Sequence, residues 1–184
     1  MRTEIPPTQT LHPPEPTTAP RSQDAPGPPL TDLRWVQPSA LRMEYELLSA
    51  GRPIVTMRFH GLLSSYATAE YGGKQWTLER AGTSQGKIVV SICADRREVG
   101  IFESSTQDRG GTLTFRDRPR IVLTPGFRKG RGEFRTEGGE PLIRFRSRGL
   151  LRTSADIDVM PAAAKLRELP GVLMLAWYLN VASA

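Results

Sequence analysis

From Leu33 to Val159 the apolar residues recur at every second position, and that period restricts the chain to half-buried antiparallel strands. Met43, Tyr45 and Leu47 alternate with Arg42, Glu44 and Glu46, and Trp76 and Leu78 alternate with Gln75, Thr77 and Glu79. Ile88, Val90 and Ile92 share one face, and Leu113 and Phe115 oppose Thr114 and Arg116. Ile143 and Phe145 alternate with Arg144 and Arg146, and Ile157 and Val159 with Asp156 and Asp158. Turn-forming clusters punctuate the runs: Ala50-Gly51-Arg52-Pro53, Gly72-Gly73, Gly82 to Gly86, Gly110-Gly111, Asp117-Arg118-Pro119, Pro125-Gly126 and Gly138-Gly139-Glu140-Pro141. About eleven or twelve strands fit between 33 and 160, and so many consecutive strands with one apolar face each close most simply into a barrel, which leaves no open edge. The expected fold is all-β with one buried helix: a closed antiparallel barrel of about twelve strands around a hydrophobic C-terminal helix.

The two ends of the chain break this pattern. Residues 1–31 hold nine of the 16 prolines and almost no large apolar side chain, so they are expected to form a disordered Pro-rich tail. The domain is then 32–184. Its last part, 161–184, reads as helical, with a short helix over Pro161–Leu169 followed by a run from Val172 that is apolar on all sides apart from Asn180 and Ser183. Such a helix belongs inside protein or inside lipid. Residues 171–184 would reach about 21 Å against a hydrocarbon core of about 30 Å, so the barrel interior is the expected home.

Catalytic and metal chemistry is not expected. Gly82-Thr83-Ser84-Gln85-Gly86 matches a nucleophile-elbow pattern, but a strand rather than a helix follows it and both histidines, His12 and His60, precede Ser84. The same segment fails as a phosphate loop, because Ile88 stands where a Ser or Thr would reach a magnesium ion. Two histidines and the single Cys93 do not make a four-ligand zinc site, and a Cys93–His60 thiol–imidazole pair is a weaker reading than a small buried cysteine. Asp156 and Asp158 read as solvating an outer strand face. No cofactor is implied. One cysteine allows no intrachain disulfide, which fits a reducing compartment and an expected cytoplasmic location.

Charge is uneven. Residues 114–152 carry eleven basic and four acidic side chains, a local +7 within a chain of net charge +6. Phe127, Arg128, Lys129 and Arg131 form the expected tip of a basic hairpin, and Arg144 and Arg146 extend the surface along a strand. These six residues are the candidate anion-binding set. An anionic membrane lipid surface is the favoured partner, met peripherally, and nucleic acid the less favoured one.

The strand-to-helix junction Ala155-Asp156-Ile157-Asp158-Val159 and the segment Leu169-Pro170-Gly171-Val172-Leu173-Met174-Leu175-Ala176-Trp177-Tyr178-Leu179 resemble the tail of the tubby C-terminal-like superfamily. That superfamily includes tubby-like proteins, phospholipid scramblases and LURP-one-related proteins, and a small bacterial member is the type resembled. The resemblance covers about residues 33–184. It implies a barrel threaded by its last helix and a non-enzymatic binding or scaffold module, with phosphoinositide binding in the tubby-like branch and lipid translocation proposed for scramblases. The chain departs from scramblases in having no cysteine-rich palmitoylation cluster and no acidic calcium loop. The alternative expectation is a scramblase-like membrane protein anchored by the C-terminal helix.

Overall fold

The computed structural model describes residues 30–60, 66–84, 87–105, 110–116, 120–124, 131–148 and 153–182. Twelve strands follow one another: β1 (Leu33–Val36), β2 (Glu44–Ser49), β3 (Arg52–His60), β4 (Tyr66–Tyr71), β5 (Lys74–Ser84), β6 (Lys87–Ala94), β7 (Arg97–Ser104), β8 (Gly111–Phe115), β9 (Ile121–Leu123), β10 (Arg131–Thr136), β11 (Pro141–Arg148) and β12 (Ser154–Val159). Each pairs antiparallel with its neighbours in sequence, and β1 pairs with β12 to close the barrel. The helix α1 (Leu169–Ala182) follows.

The alternation seen in the sequence becomes the two faces of the wall. Leu33 and Trp35, Tyr45 and Leu47, Val55, Met57 and Phe59, and Ile143 and Phe145 all turn inward and are buried. At one end of the barrel, two-residue connections join β2 to β3, β4 to β5 and β6 to β7. Ala50 and Gly51, Gly72 and Gly73, and Asp95 and Arg96 all have positive φ, the backbone form that matches the right-handed twist of a tight hairpin. Glycine suits these positions, whereas Ala50, at φ 47°, holds the same conformation with a Cβ. We call this the turn end. The opposite, loop end receives Val36 from β1, Ser104 from β7 and Arg148 from β11, with five to seven residues before the next strand in each case.

Helix α1 enters at the turn end and runs toward the loop end inside the wall. Leu169 and every residue from Gly171 to Leu179 are buried, so a helix with no polar stripe needs none. It lies nearest β4 and β5, where the inward residues Ala67 and Ala69 leave room for its backbone. Gly171 belongs to this fit, because a Cβ there would stand 3.3 Å from Trp76 Cζ3 and 3.5 Å from Phe115. On other sides the wider gap is filled by rings. Trp177 stacks on Trp35 at 5.3 Å and meets Tyr45 edge-on at 5.0 Å, and Tyr178 stacks on Phe59 at 5.7 Å. The indole N–H groups of Trp35, Trp76 and Trp177 are buried and meet no acceptor among the described residues.

Two expectations need correction. The segment Pro161–Leu169 is not a helix: it holds a single 3-10 turn, Ala163–Lys165, which stops where Leu166 becomes extended. The chain must turn here to carry the end of β12 into the barrel mouth, and Pro170, which has no N–H to donate, suits the first turn of the helix that follows. Met43, expected on the apolar face of a strand, precedes β2 and is 42% exposed, although its Sδ accepts a hydrogen bond from the Tyr45 hydroxyl at 3.8 Å. The tail side of the domain boundary is also informative. Thr31 accepts a hydrogen bond from Ala50 N at 2.9 Å and donates its own N–H to Ser49 Oγ at 3.2 Å, and Leu30 packs against the core. The membrane-anchor alternative needs a free apolar helix, but Leu169 and the residues from Gly171 to Leu179 are buried in the barrel. Among the described residues no helix is long and apolar enough to cross a membrane.

Candidate anion-binding wall

Strand β11 reads L-I-R-F-R-S-R, and the pleat that sends Ile143 and Phe145 inward sends Arg144, Arg146 and Arg148 outward. Its neighbours do the same with other charges, so register decides which cation meets which anion. One row runs across four strands: Arg131 of β10 lies opposite Arg146, Arg146 opposite Asp156 of β12, and Asp156 opposite Arg34 of β1. The next row toward the turn end places Arg144 between Glu133 and Asp158.

The carboxylates of this wall are largely occupied. Asp156 accepts Arg34 Nε at 2.9 Å on one oxygen and Arg148 Nη2 at 2.7 Å on the other. Glu133 accepts Arg144 Nε at 2.8 Å on one oxygen and Arg135 on the other. The hydrogen bond from Arg144, seconded by Arg135, holds the Glu133 carboxyl below its usual range despite some loss of hydration. Arg131 and Arg146 are left facing each other with no ion pair among the described residues, although like charges directly opposite are unfavourable. Six arginines (Arg34, Arg131, Arg135, Arg144, Arg146 and Arg148) share three acids here: Glu133, Asp156 and Asp158.

Two surface depressions flank the unpaired cations. The larger, about 680 Å³, runs along the β1–β12 seam beside Arg34, Leu48, Arg148 and Asp156. The smaller, about 310 Å³, lies over β10 and β11 beside Thr124, Arg131, Glu133 and Arg144. Arg146 and Asp158 line both. Two guanidinium groups in register offer a fork to a phosphate or carboxylate, and the flanking ion pairs hold neighbouring side chains in place.

Of the six expected site residues, the structure brings Arg131, Arg144 and Arg146 to one outer face. Arg144 is already committed to Glu133. Phe127, Arg128 and Lys129 lie outside the described residues. Sequence reasoning missed Arg34, which lies 122 positions from its partner Asp156. Its signal was the alternation in Leu33-Arg34-Trp35-Val36, readable only once β1 is placed beside β12.

The other motifs resolve simply. Ser84 pairs with Lys87 in the β5–β6 hairpin. His60, on β3, bonds Thr68 Oγ1 at 2.8 Å. Cys93, on β6, lies beside Ser91. With β4 and β5 between them, the thiol and imidazole strands stand about 14 Å apart at the usual strand spacing, too far for a catalytic pair. Among the described residues no cluster of His, Cys, Asp or Glu has the arrangement of a metal site.

No family model matches the chain, and no curated protein or solved structure matches it.

Proposed function

We propose that this barrel is a non-enzymatic binding module for a phosphate-bearing anion, with phospholipid headgroups as the favoured source. The observation that supports this reading is the Arg131–Arg146 pair: two cations opposed across β10 and β11, neither with an ion pair among the described residues, while Glu133 and Asp156 are taken by other arginines. A protein surface does not gain stability from such a pair, so its use is best sought in a ligand. The barrel around an apolar helix is also what kinship with tubby-like and LURP-one-related proteins would require, and we keep that kinship as part of the proposal.

Arg131→Glu/Arg146→Glu tests it. Full-length wild type and variant are compared for binding to inorganic polyphosphate in solution and to vesicles containing phosphatidylserine. Each cation near an anionic surface is worth about 1 kcal/mol, so the pair should change affinity about thirtyfold, and salt should weaken the wild type steeply. Equal binding by the two forms in both arms would refute the reading. Polyphosphate binding without vesicle binding would assign a soluble phosphate ligand.

A further inference from the structure

The large apolar side chains exposed on the described surface are few: Leu41 at 97%, Met43 at 42% and Ile101 at 36%. Single exposed residues of this kind are ordinary, but two of these three sit in one connection, 37–43, between β1 and β2. That connection is tied down. Gln37 Nε2 donates to Arg42 O at 3.0 Å, Arg42 N to Ser39 O at 3.3 Å, and Leu41 N to Ser39 Oγ at 3.3 Å. Met43 O accepts from Phe59 N at 2.9 Å, which fixes the return of the chain to the wall. Leu41 is thus held outward by its own backbone, with Arg42 between it and Met43.

Position sharpens the meaning. The connection leaves β1 at the loop end, where β10 begins at Arg131 and β11 ends at Arg148. Strands β10, β11, β12, β1 and β2 are consecutive neighbours in the barrel. The two apolar side chains therefore stand at the rim of the same sector that carries the arginine row. Apolar tips backed by cations match the chemistry of an anionic bilayer, whose acyl boundary takes the tips and whose phosphates take the cations.

We infer that the loop end of the barrel is a membrane-docking end, with Leu41 and Met43 entering the interfacial layer of an anionic bilayer while Arg131 and Arg146 meet its phosphates. This rests on the anion-binding reading above and adds to it the orientation of the barrel and the apolar side chains that enter the bilayer.

The test uses the full chain with vesicles of phosphatidylcholine containing about 30% phosphatidylserine, at low and high salt. Leu41→Ser is compared with wild type and with Arg131→Glu/Arg146→Glu. In a Cys93→Ser background, an environment-sensitive dye is placed at Leu41→Cys or, on the opposite side of the barrel in β7, at Ile101→Cys. Leu41→Ser should melt like wild type, since that side chain is 97% exposed, and should partition about tenfold less onto vesicles. The dye at position 41 should shift to the blue on binding, and the dye at position 101 should not. A serine variant that binds as well as wild type, or a dye at position 41 that stays in water on bound protein, overturns end-on docking. If the arginine variant then still loses binding, the anion site survives alone. Wild type that binds polyphosphate but no vesicle overturns the membrane inference and leaves the site. A Leu41-dependent dimer without vesicle binding overturns it in favour of self-association.

Discussion

Tyr178 reports whether the helix occupies the barrel, because its phenol can ionise only by placing a charge inside the wall. Its ring lies against Phe59 at 5.7 Å and only 1% of its surface is exposed. Burial is the main reason that its pKa is pushed up to about 12 from 10.0, with Arg80 opposing the shift and Glu79 adding to it. In the unfolded chain the phenol releases its proton at an ordinary pH, so between pH 10 and 12 the folded state binds more protons than the unfolded one. Stability is therefore full below pH 10 and falls as pH rises through that window. Tyr178 alone therefore removes about 1 kcal/mol by pH 11 and about 2–3 kcal/mol above pH 12. Tyr45 and Tyr71 are shifted upward by burial as well and add to the alkaline loss. The assay is urea unfolding at pH 8 and pH 11 for wild type and Tyr178→Phe. The variant keeps the stacked ring and loses the ionisable group, so its stability should fall by about 1 kcal/mol less between the two pH values. All other groups are common to both proteins and cancel in the difference. Identical pH dependence in the two would show that the phenol meets water in the folded state, and the packing described for α1 would be wrong at that point.

Leu175, fully buried on α1, should not tolerate an acid: Leu175→Asp places a carboxylate in an apolar core and is expected to abolish soluble, cooperative folding, and a variant that still melts cooperatively at wild-type temperature would refute the central position of the helix. Ala50→Asn should stabilise the barrel by about 0.5–1 kcal/mol, since asparagine tolerates the left-handed backbone of the β2–β3 turn better than alanine; a lower denaturation midpoint would show that the turn is not under this strain.

The barrel was legible because each strand states its own inner and outer face, and because pairing between sequence neighbours needs no long-range information. Tyr45 and Leu47 or Ile143 and Phe145 mark the inside by alternation alone. The apolar run from Val172 marked the core helix in the same way. The wall was harder to read. A run of arginines looks like one patch in sequence, but register sets the cross-strand partner of each side chain, so Arg144 is neutralised by Glu133 while Arg146 is not. Arg34 could not be placed at all without the closing β1–β12 pair. The Pro161–Leu169 segment has good helical composition, yet the need to turn from the wall into the mouth overrides propensity. Met43 shows the same limit at an element boundary, where alternation continues past the last residue that the wall covers.

The order of elements has a consequence for how the molecule is made. Every strand precedes α1 in the chain, so a growing polypeptide assembles hairpins whose inner faces have nothing to close upon. Neighbouring strands meet early, because the loops between them are short and cost little entropy to close. The last seam, β1 against β12, and the filling of the interior both wait for distant residues. Until α1 arrives, Trp35, Tyr45 and Phe59 lack the Trp177 and Tyr178 rings they stack on, and their exposed surface is open to wrong partners. The inner faces of the strands can be covered by α1 only after every strand has been made.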